Sequence, residues 1–296
     1  MSFYLRKGLS FLGVEDKSAY PPAELLADDD CLSCQDPCAE HKPYPSSLKI
    51  DQNLPLVGSV KPYGRHIIIS TGKSDWPSKI EKDTGSLAHA LRIAEDKQPT
   101  QLRNFVTNAS LVATESSVPN GHDVVVLPDN IYLSNVTPEN ALDFWEIFIN
   151  TPLPLGENPE KPNYEQAASK GITVKQNPYE SMIMICSHRK RDKACGITAP
   201  ILADEFEHIL RDKDISETGP GSIVVWMVSH VGGHKYAGNV ICYTQQGTCG
   251  VWYGRVATCD CNPIIEETIL KGKIIKELYR GSMDHSFDKK LHPLKW

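Results

Sequence analysis

Ser181-Met-Ile-Met-Ile-Cys186, running directly into Ser187-His-Arg-Lys-Arg-Asp-Lys-Ala-Cys195-Gly196, is the stretch from which the fold can be read. Its first part is an apolar, β-prone run that breaks at a cysteine; its second is a basic loop that ends in another. A strand therefore presents one thiol, and the loop after it presents a second. Further on, Gly221-Ser-Ile-Val-Val-Trp-Met-Val-Ser229 is another apolar run, and it ends in His230-Val-Gly-Gly-His234. Gly232 and Gly233 favour a turn over a helix and, without a Cβ, let the backbone approach a bound group. Two strand ends of one sheet can thus converge on a single site, bringing Cys186 and Cys195 from one side and His230 and His234 from the other.

Outward from these runs, the segment after Pro178 reads as strand (182–185), loop, helix (199–210), strands (223–228, 239–243 and 251–253) and helix (263–270). Ile201, Leu202, Phe206, Ile209 and Leu210 give the first helix one apolar face. The order βαβββα is that of a thioredoxin-like α/β sandwich. The first half repeats the plan less clearly, with a strand at 66–70, a helix at 86–94, strands at 124–127 and 131–133 and a helix at 137–150. Setting Val136 against Val256 aligns Tyr132-Leu-Ser-Asn-Val136 with Trp252-Tyr-Gly-Arg-Val256. The expectation is an N-terminal α/β domain that is a diverged copy of the C-terminal one and lacks its ligands, Ser70 standing where Cys186 does. A Pro-rich polar stretch divides them. The expected organisation is a Cys-containing tail (1–50), the N-terminal domain (51–150), a linker (151–178) and the thioredoxin-like C-terminal domain with its tail (179–296).

Composition narrows the function classes. The chain has 296 residues, 40% hydrophobic and 23% charged, enough for two cores. A net charge of -6 and a pI near 5.9 speak against a nucleic-acid binder, since the one basic run is 188–193. Apolar runs are too short for a membrane span. Nine cysteines, clustered and without an apolar secretory segment, fit a reducing compartment and metal use better than disulfides. The expected compartment is the cytoplasm, with the mitochondrion as alternative because residues 1–14 contain no acid.

The ligand types at Cys186, Cys195, His230 and His234 suit either a two-iron, two-sulfur cluster or a tetrahedral zinc. HVGGH lacks the glutamate of a zinc hydrolase helix, and its glycines oppose a helix. A second set, Cys31-Leu-Ser-Cys34-Gln-Asp-Pro-Cys38-Ala-Glu-His41, has spacing that a small additional zinc site could use. Gly72-Lys73-Ser74 is no phosphate loop, because the required earlier glycine is Ile67. His66, His89, His122 and His208 have no organised nucleophile beside them.

The segments Cys186 to Pro200, His230-Val-Gly-Gly-His-Lys-Tyr-Ala-Gly-Asn-Val240 and Trp252 to Val256 resemble the sucrase/ferredoxin-like family, in particular its thioredoxin-like ferredoxins with bis-histidinyl ligation. The resemblance implies an electron-transfer protein with a 2Fe-2S cluster, Cys186 and Cys195 on one iron and His230 and His234 on the other. It implies a flavoprotein or other reductase upstream and an acceptor downstream. The alternatives are a zinc-stabilised interaction module on the same ligands and an oxidoreductase acting on its own substrate. A C-terminal Trp, here Trp296, is used by clients of the cytosolic iron–sulfur assembly targeting machinery, although Lys295 departs from the usual preceding residue.

Overall fold

The computed structural model describes residues 21, 23–27, 41–154 and 162–283. Its strands are β1 (Leu26–Ala27), β2 (Arg65–Ser70), β3 (Asn104–Ala109), β4 (His122–Leu127), β5 (Ile131–Val136), β6 (Thr173–Gln176), β7 (Tyr179–Cys186), β8 (Gly219–Val228), β9 (Val240–Thr244), β10 (Cys249–Tyr253), β11 (Ile274–Ile275) and β12 (Tyr279–Ser282). The helices are α1 (Leu87–Lys97), α2 (Ala141–Phe144, continued by a π-helix Trp145–Ile149), α3 (Tyr164–Ser169), α4 (Lys193–Asp212) and α5 (Cys261–Pro263, continued by a π-helix Ile264–Leu270). The chain is α/β, dominated by one large mixed sheet.

Alternation decides which way each strand faces. In β7, Met182, Met184 and Cys186 enter one core, while Ile183 and Ile185 enter another with Ala199, Leu202 and Phe206 of α4. In β2 the same split sends Ile68 to the first core and Ile67 and Ile69 to a third, beneath Leu87, Leu91 and Ala94 of α1. The core shared by both halves also brings together side chains from strands that are not neighbours. Phe105 of β3 lies 5.4 Å, ring to ring, from Trp252 of β10, and His66 Nδ1 is 2.9 Å from the Tyr243 hydroxyl. The sheet is therefore bent at its middle, with an inner core between its halves and a helix-covered core outside each.

Among the described residues ten strands form one sheet in the order β12-β10-β9-β7-β8-β3-β2-β4-β5-β6. From the centre outward the two halves have the same plan: β8 and β3 are parallel to β7 and β2, and these are antiparallel to β9 and β4. A crossover helix, α4 or α1, joins each parallel pair, as parallel strands require. The halves meet at one antiparallel pairing, Ala109 with Val228. Ser70 pairs with Ala109 and Cys186 with Val228, so the register puts Ser70 and Cys186 in equivalent positions. Backbone detail repeats too: Asn135 and Arg255 have positive φ, 61° and 63°, just before the aligned Val136 and Val256.

The strands β3 and β12 carry no clear sequence signal. β3 interleaves Asn104, Thr107 and Asn108 with its apolar residues, and β12 is Tyr-Arg-Gly-Ser. Within 151–178, read as a linker, α3 and the edge strand β6 form, β6 pairing with β5 from Ile131 with Gln176 to Ser134 with Thr173. Arg65 pins the start of that stretch, forking onto Asp129 at 2.8 and 3.0 Å and donating to the carbonyls of Thr151 and Pro152.

Candidate metal centre

Cys186 is the last residue of β7 and is 1% exposed. Cys195 is fully buried and belongs to the first turn of α4, which begins six residues before the expected start because Asp192 caps it, accepting the Ala194 N–H at 2.8 Å. The second thiol therefore comes from a helix and not from the loop. Gly196 is required there, since a Cβ would lie 2.3 Å from Arg189 Cβ. The two sulfurs share a hydrogen bond. With Cys195 donating, and His230 and the Val231 N–H adding to it, the Cys186 thiol is held well below the ordinary range; the same sharing, with burial, pushes Cys195 up. A thiolate is stabilised at one of the pair.

The histidines follow β8. Gly232 and Gly233, at φ 89° and 69°, turn the chain so that the His230 and His234 rings lie 6.0 Å apart at 41°. The His230 N–H donates to His188 Nδ1 at 3.1 Å, which leaves His188 Nε2 to donate to the carbonyls of Trp76 at 2.9 Å and Pro77 at 3.1 Å. His188 is 1% exposed. It is a buried brace and not part of the charged loop surface that the basic run implied; Arg189, Lys190, Arg191 and Lys193 are exposed. His230 Nδ1 is buried with no hydrogen-bond partner.

Asn239 and Arg280 complete the surroundings. Asn239 O accepts the Cys186 N–H at 3.0 Å, its Nδ2 donates to Gly233 O at 3.0 Å, and its side chain reaches the Cys195 sulfur. Arg280, from β12, donates to Asn239 Oδ1 at 2.7 Å. Neither residue was legible as part of the site. A cleft of about 390 Å³ opens beside the loop, lined in part by Arg103, Phe105, His188, Arg191, Ser229 and His230.

The fold thus gathers Cys186, Cys195 and His230, with His234 beside His230. Among the described residues, these side chains included, no group of three or more His, Cys, Asp or Glu has an arrangement that could hold a metal ion. The donors stand instead as two pairs, the buried thiols of Cys186 and Cys195 and the imidazoles of half-buried His230 and exposed His234, with one ring nitrogen of His230 orphaned. A cluster with two irons takes its ligands pairwise, and this donor set fits one. Of the early set, Cys31, Cys34 and Cys38 lie outside the described residues, while His41 Nδ1 is 3.0 Å from Glu205 Oε1. Trp296 also lies outside them. Cys242 and Cys261 are packing residues whose thiols burial pushes up.

The sucrase/ferredoxin-like family model matches residues 56–281 of the chain. The chain is similar to Altered inheritance of mitochondria protein 32 of Debaryomyces hansenii, 32% identical over 258 residues that cover 81% of this chain and 89% of the relative. The protein of the same name from Clavispora lusitaniae is 31% identical over 274 residues, 88% and 93% of the two chains. Actin patches distal protein 1 of Saccharomyces cerevisiae is 28% identical over 243 residues, 76% and 75% of the two. No solved structure matches.

Proposed function

The chain belongs to the sucrase/ferredoxin-like family, and on that premise we propose that it is an electron-transfer protein carrying one 2Fe-2S cluster, held by Cys186 and Cys195 on one iron and His230 and His234 on the other. The observation that carries the proposal is the pairing of a proton-sharing thiol pair with a buried imidazole nitrogen that has no partner. A buried polar atom left unpaired is costly, and a metal would satisfy it. Single-ion zinc ligation by the same four residues is the competing reading, and metal analysis separates the two.

When bound, a cluster of mixed Cys and His ligation accepts an electron at about -150 to +300 mV, against about -400 mV for plant-type all-cysteine clusters. The protein's own residues do the rest. His188 fixes the backbone of His230 from behind, Asn239 ties the cysteine strand to the histidine loop, and the inner core buries the two thiols. Each ligating imidazole keeps a second nitrogen that can hold or release a proton, which links reduction to pH.

On this reading the C-terminal half is a thioredoxin-like ferredoxin domain and the N-terminal half its diverged copy, Ser70 replacing Cys186. The working compartment is the cytoplasm, with the mitochondrion the alternative. The electron donor is a flavoprotein or other reductase, and assembly is by the cytosolic iron–sulfur targeting machinery acting on Trp296. The cleft at His230 favours a second reading, an oxidoreductase with its own substrate bound there. Visible absorption and electron paramagnetic resonance of anaerobically purified protein test the cluster. A reddish protein with a rhombic signal after reduction is expected, and a colourless protein containing zinc alone overturns the proposal.

A further inference from the structure

Arg280 is 1% exposed, yet it makes no ion pair with a carboxylate among the described residues. Its partners are neutral: Nε donates to Ser59 Oγ at 2.9 Å, Nη1 to Asn239 Oδ1 at 2.7 Å and to Gly232 O at 3.4 Å, and Nη2 to Ser59 O at 3.4 Å. The guanidinium carbon stands 5.3 Å from the Tyr236 ring centre and 5.8 Å from that of Trp252. Arg65 is equally deep but forks onto Asp129, which is how a buried guanidinium is ordinarily neutralised. Arg280 lacks such a partner. The acidic groups near it are Tyr236, whose hydroxyl donates to Pro55 O at 2.9 Å, and the thiols of Cys186 and Cys195.

Its position is built. Arg280 lies directly under the histidine turn, where a Cβ on Gly233 would fall 2.3 Å from Nη2. Through Asn239 it is joined to both sides of the site, since that residue bonds the Cys186 N–H with its carbonyl and Gly233 O with its amide. A buried charge with no counter-ion persists when the native state supplies an anion.

We infer that Arg280 is the internal counter-cation of the metal centre, a positioning residue whose uncompensated charge favours the reduced state of the cluster. The inference rests on the cluster proposed above. Two ferric ions, two sulfides, two thiolates and two neutral imidazoles sum to zero charge, and gain of one electron leaves one negative charge. A fixed cation beside that centre therefore stabilises the reduced state more than the oxidised one, and raises the potential.

The test is a potentiometric titration of anaerobically purified full-length wild type, Arg280→Lys, Arg280→Met and Ser59→Ala, followed by visible absorbance and electron paramagnetic resonance, with dithionite supplying the electron. For Arg280→Met the equilibrium constant for reduction should fall at least tenfold, about 59 mV for one electron. Arg280→Lys should retain most of the wild-type value, and Ser59→Ala should stay within threefold of it. A cluster at wild-type potential in Arg280→Met overturns the inference and leaves the cluster proposal standing, as do equal shifts in the Lys and Met variants, which mean packing and not charge. If Arg280→Met folds by circular dichroism but takes up no iron while Arg280→Lys does, the counter-cation role is supported; if neither takes it up, it is overturned. Wild type without a cluster defeats the cluster proposal itself.

Discussion

Ser110 and Ser229 cap each other's strands across the middle of the sheet. The Ser110 hydroxyl accepts the Met227 N–H at 3.0 Å, the Ser229 hydroxyl accepts the Asn108 N–H at 3.0 Å, and each serine's own N–H donates to the carbonyl of that same residue. The pair doubles the hydrogen bonds that one strand pairing, Ala109 with Val228, would otherwise leave at the seam.

Replacing either serine by alanine leaves a strand N–H without its side-chain acceptor at the seam. Each variant should lose about 1–3 kcal/mol in urea unfolding. Under the proposed ligation, Ser229→Ala, one residue before His230, should also lose iron faster to a chelator than Ser110→Ala. Equal loss from both would mean that the seam does not position the ligand loop.

His66 is fully buried, with Nδ1 2.9 Å from the Tyr243 hydroxyl and Nε2 2.8 Å from the Thr107 hydroxyl, and burial, helped by Arg103, pushes it down to about 3. In the unfolded chain it titrates near 6.5. The unfolded state thus binds a proton first as pH falls, so the stabilisation is complete above about 6.5 and is lost progressively towards about 3. The slope from this one residue is about 1.4 kcal/mol per pH unit inside that window. Denaturant midpoints at pH 7, 6 and 5 should fall more steeply for wild type than for His66→Gln.

Under the proposed ligation, His230→Cys and His234→Cys should each keep a cluster, lower its potential and weaken its pH dependence, because a thiolate adds negative charge and removes a protonatable nitrogen. Cys186→Ser should abolish cluster binding. Protein-film voltammetry across pH 6 to 9 reads all three, and an unchanged potential and slope in the His variants would refute the ligand assignment.

Gly233→Ala and Gly232→Ala separate two causes of strain. Both positions have positive φ, at 69° and 89°, but an added Cβ at 232 meets nothing within 4 Å while one at 233 strikes Arg280. Gly232→Ala should cost about 1 kcal/mol from backbone conformation alone, and Gly233→Ala several-fold more. Thermal unfolding compares them.

The thiol strand and the histidine turn were legible because each rests on local pattern: an apolar run ending in Cys186, and two glycines between histidines. Strands held by tertiary pairing were not. β3 and β12 mix polar and apolar residues, and only pairing with β2 and β8, or with β10, makes them strands. Cys195 reads as a loop residue in sequence because Asp192, its helix cap, lies inside a basic run. Arg280 could not be found at all. It is far from the ligands in sequence, and nothing in Tyr-Arg-Gly-Ser distinguishes a buried guanidinium from a surface one.

Three bonds tie the cysteine loop to residues 74–76 of the opposite half: Ser187 Oγ to Ser74 O, the Lys190 N–H to Asp75 Oδ1, and His188 Nε2 to Trp76 O. The half without ligands is thereby the wall against which the ligand-bearing half is assembled. Excised as residues 179–296, the second half would lose that wall together with one side of the inner core. Under the proposed ligation, the four ligands are then not a portable module that could be grafted alone, because the first half supplies part of the architecture that holds them.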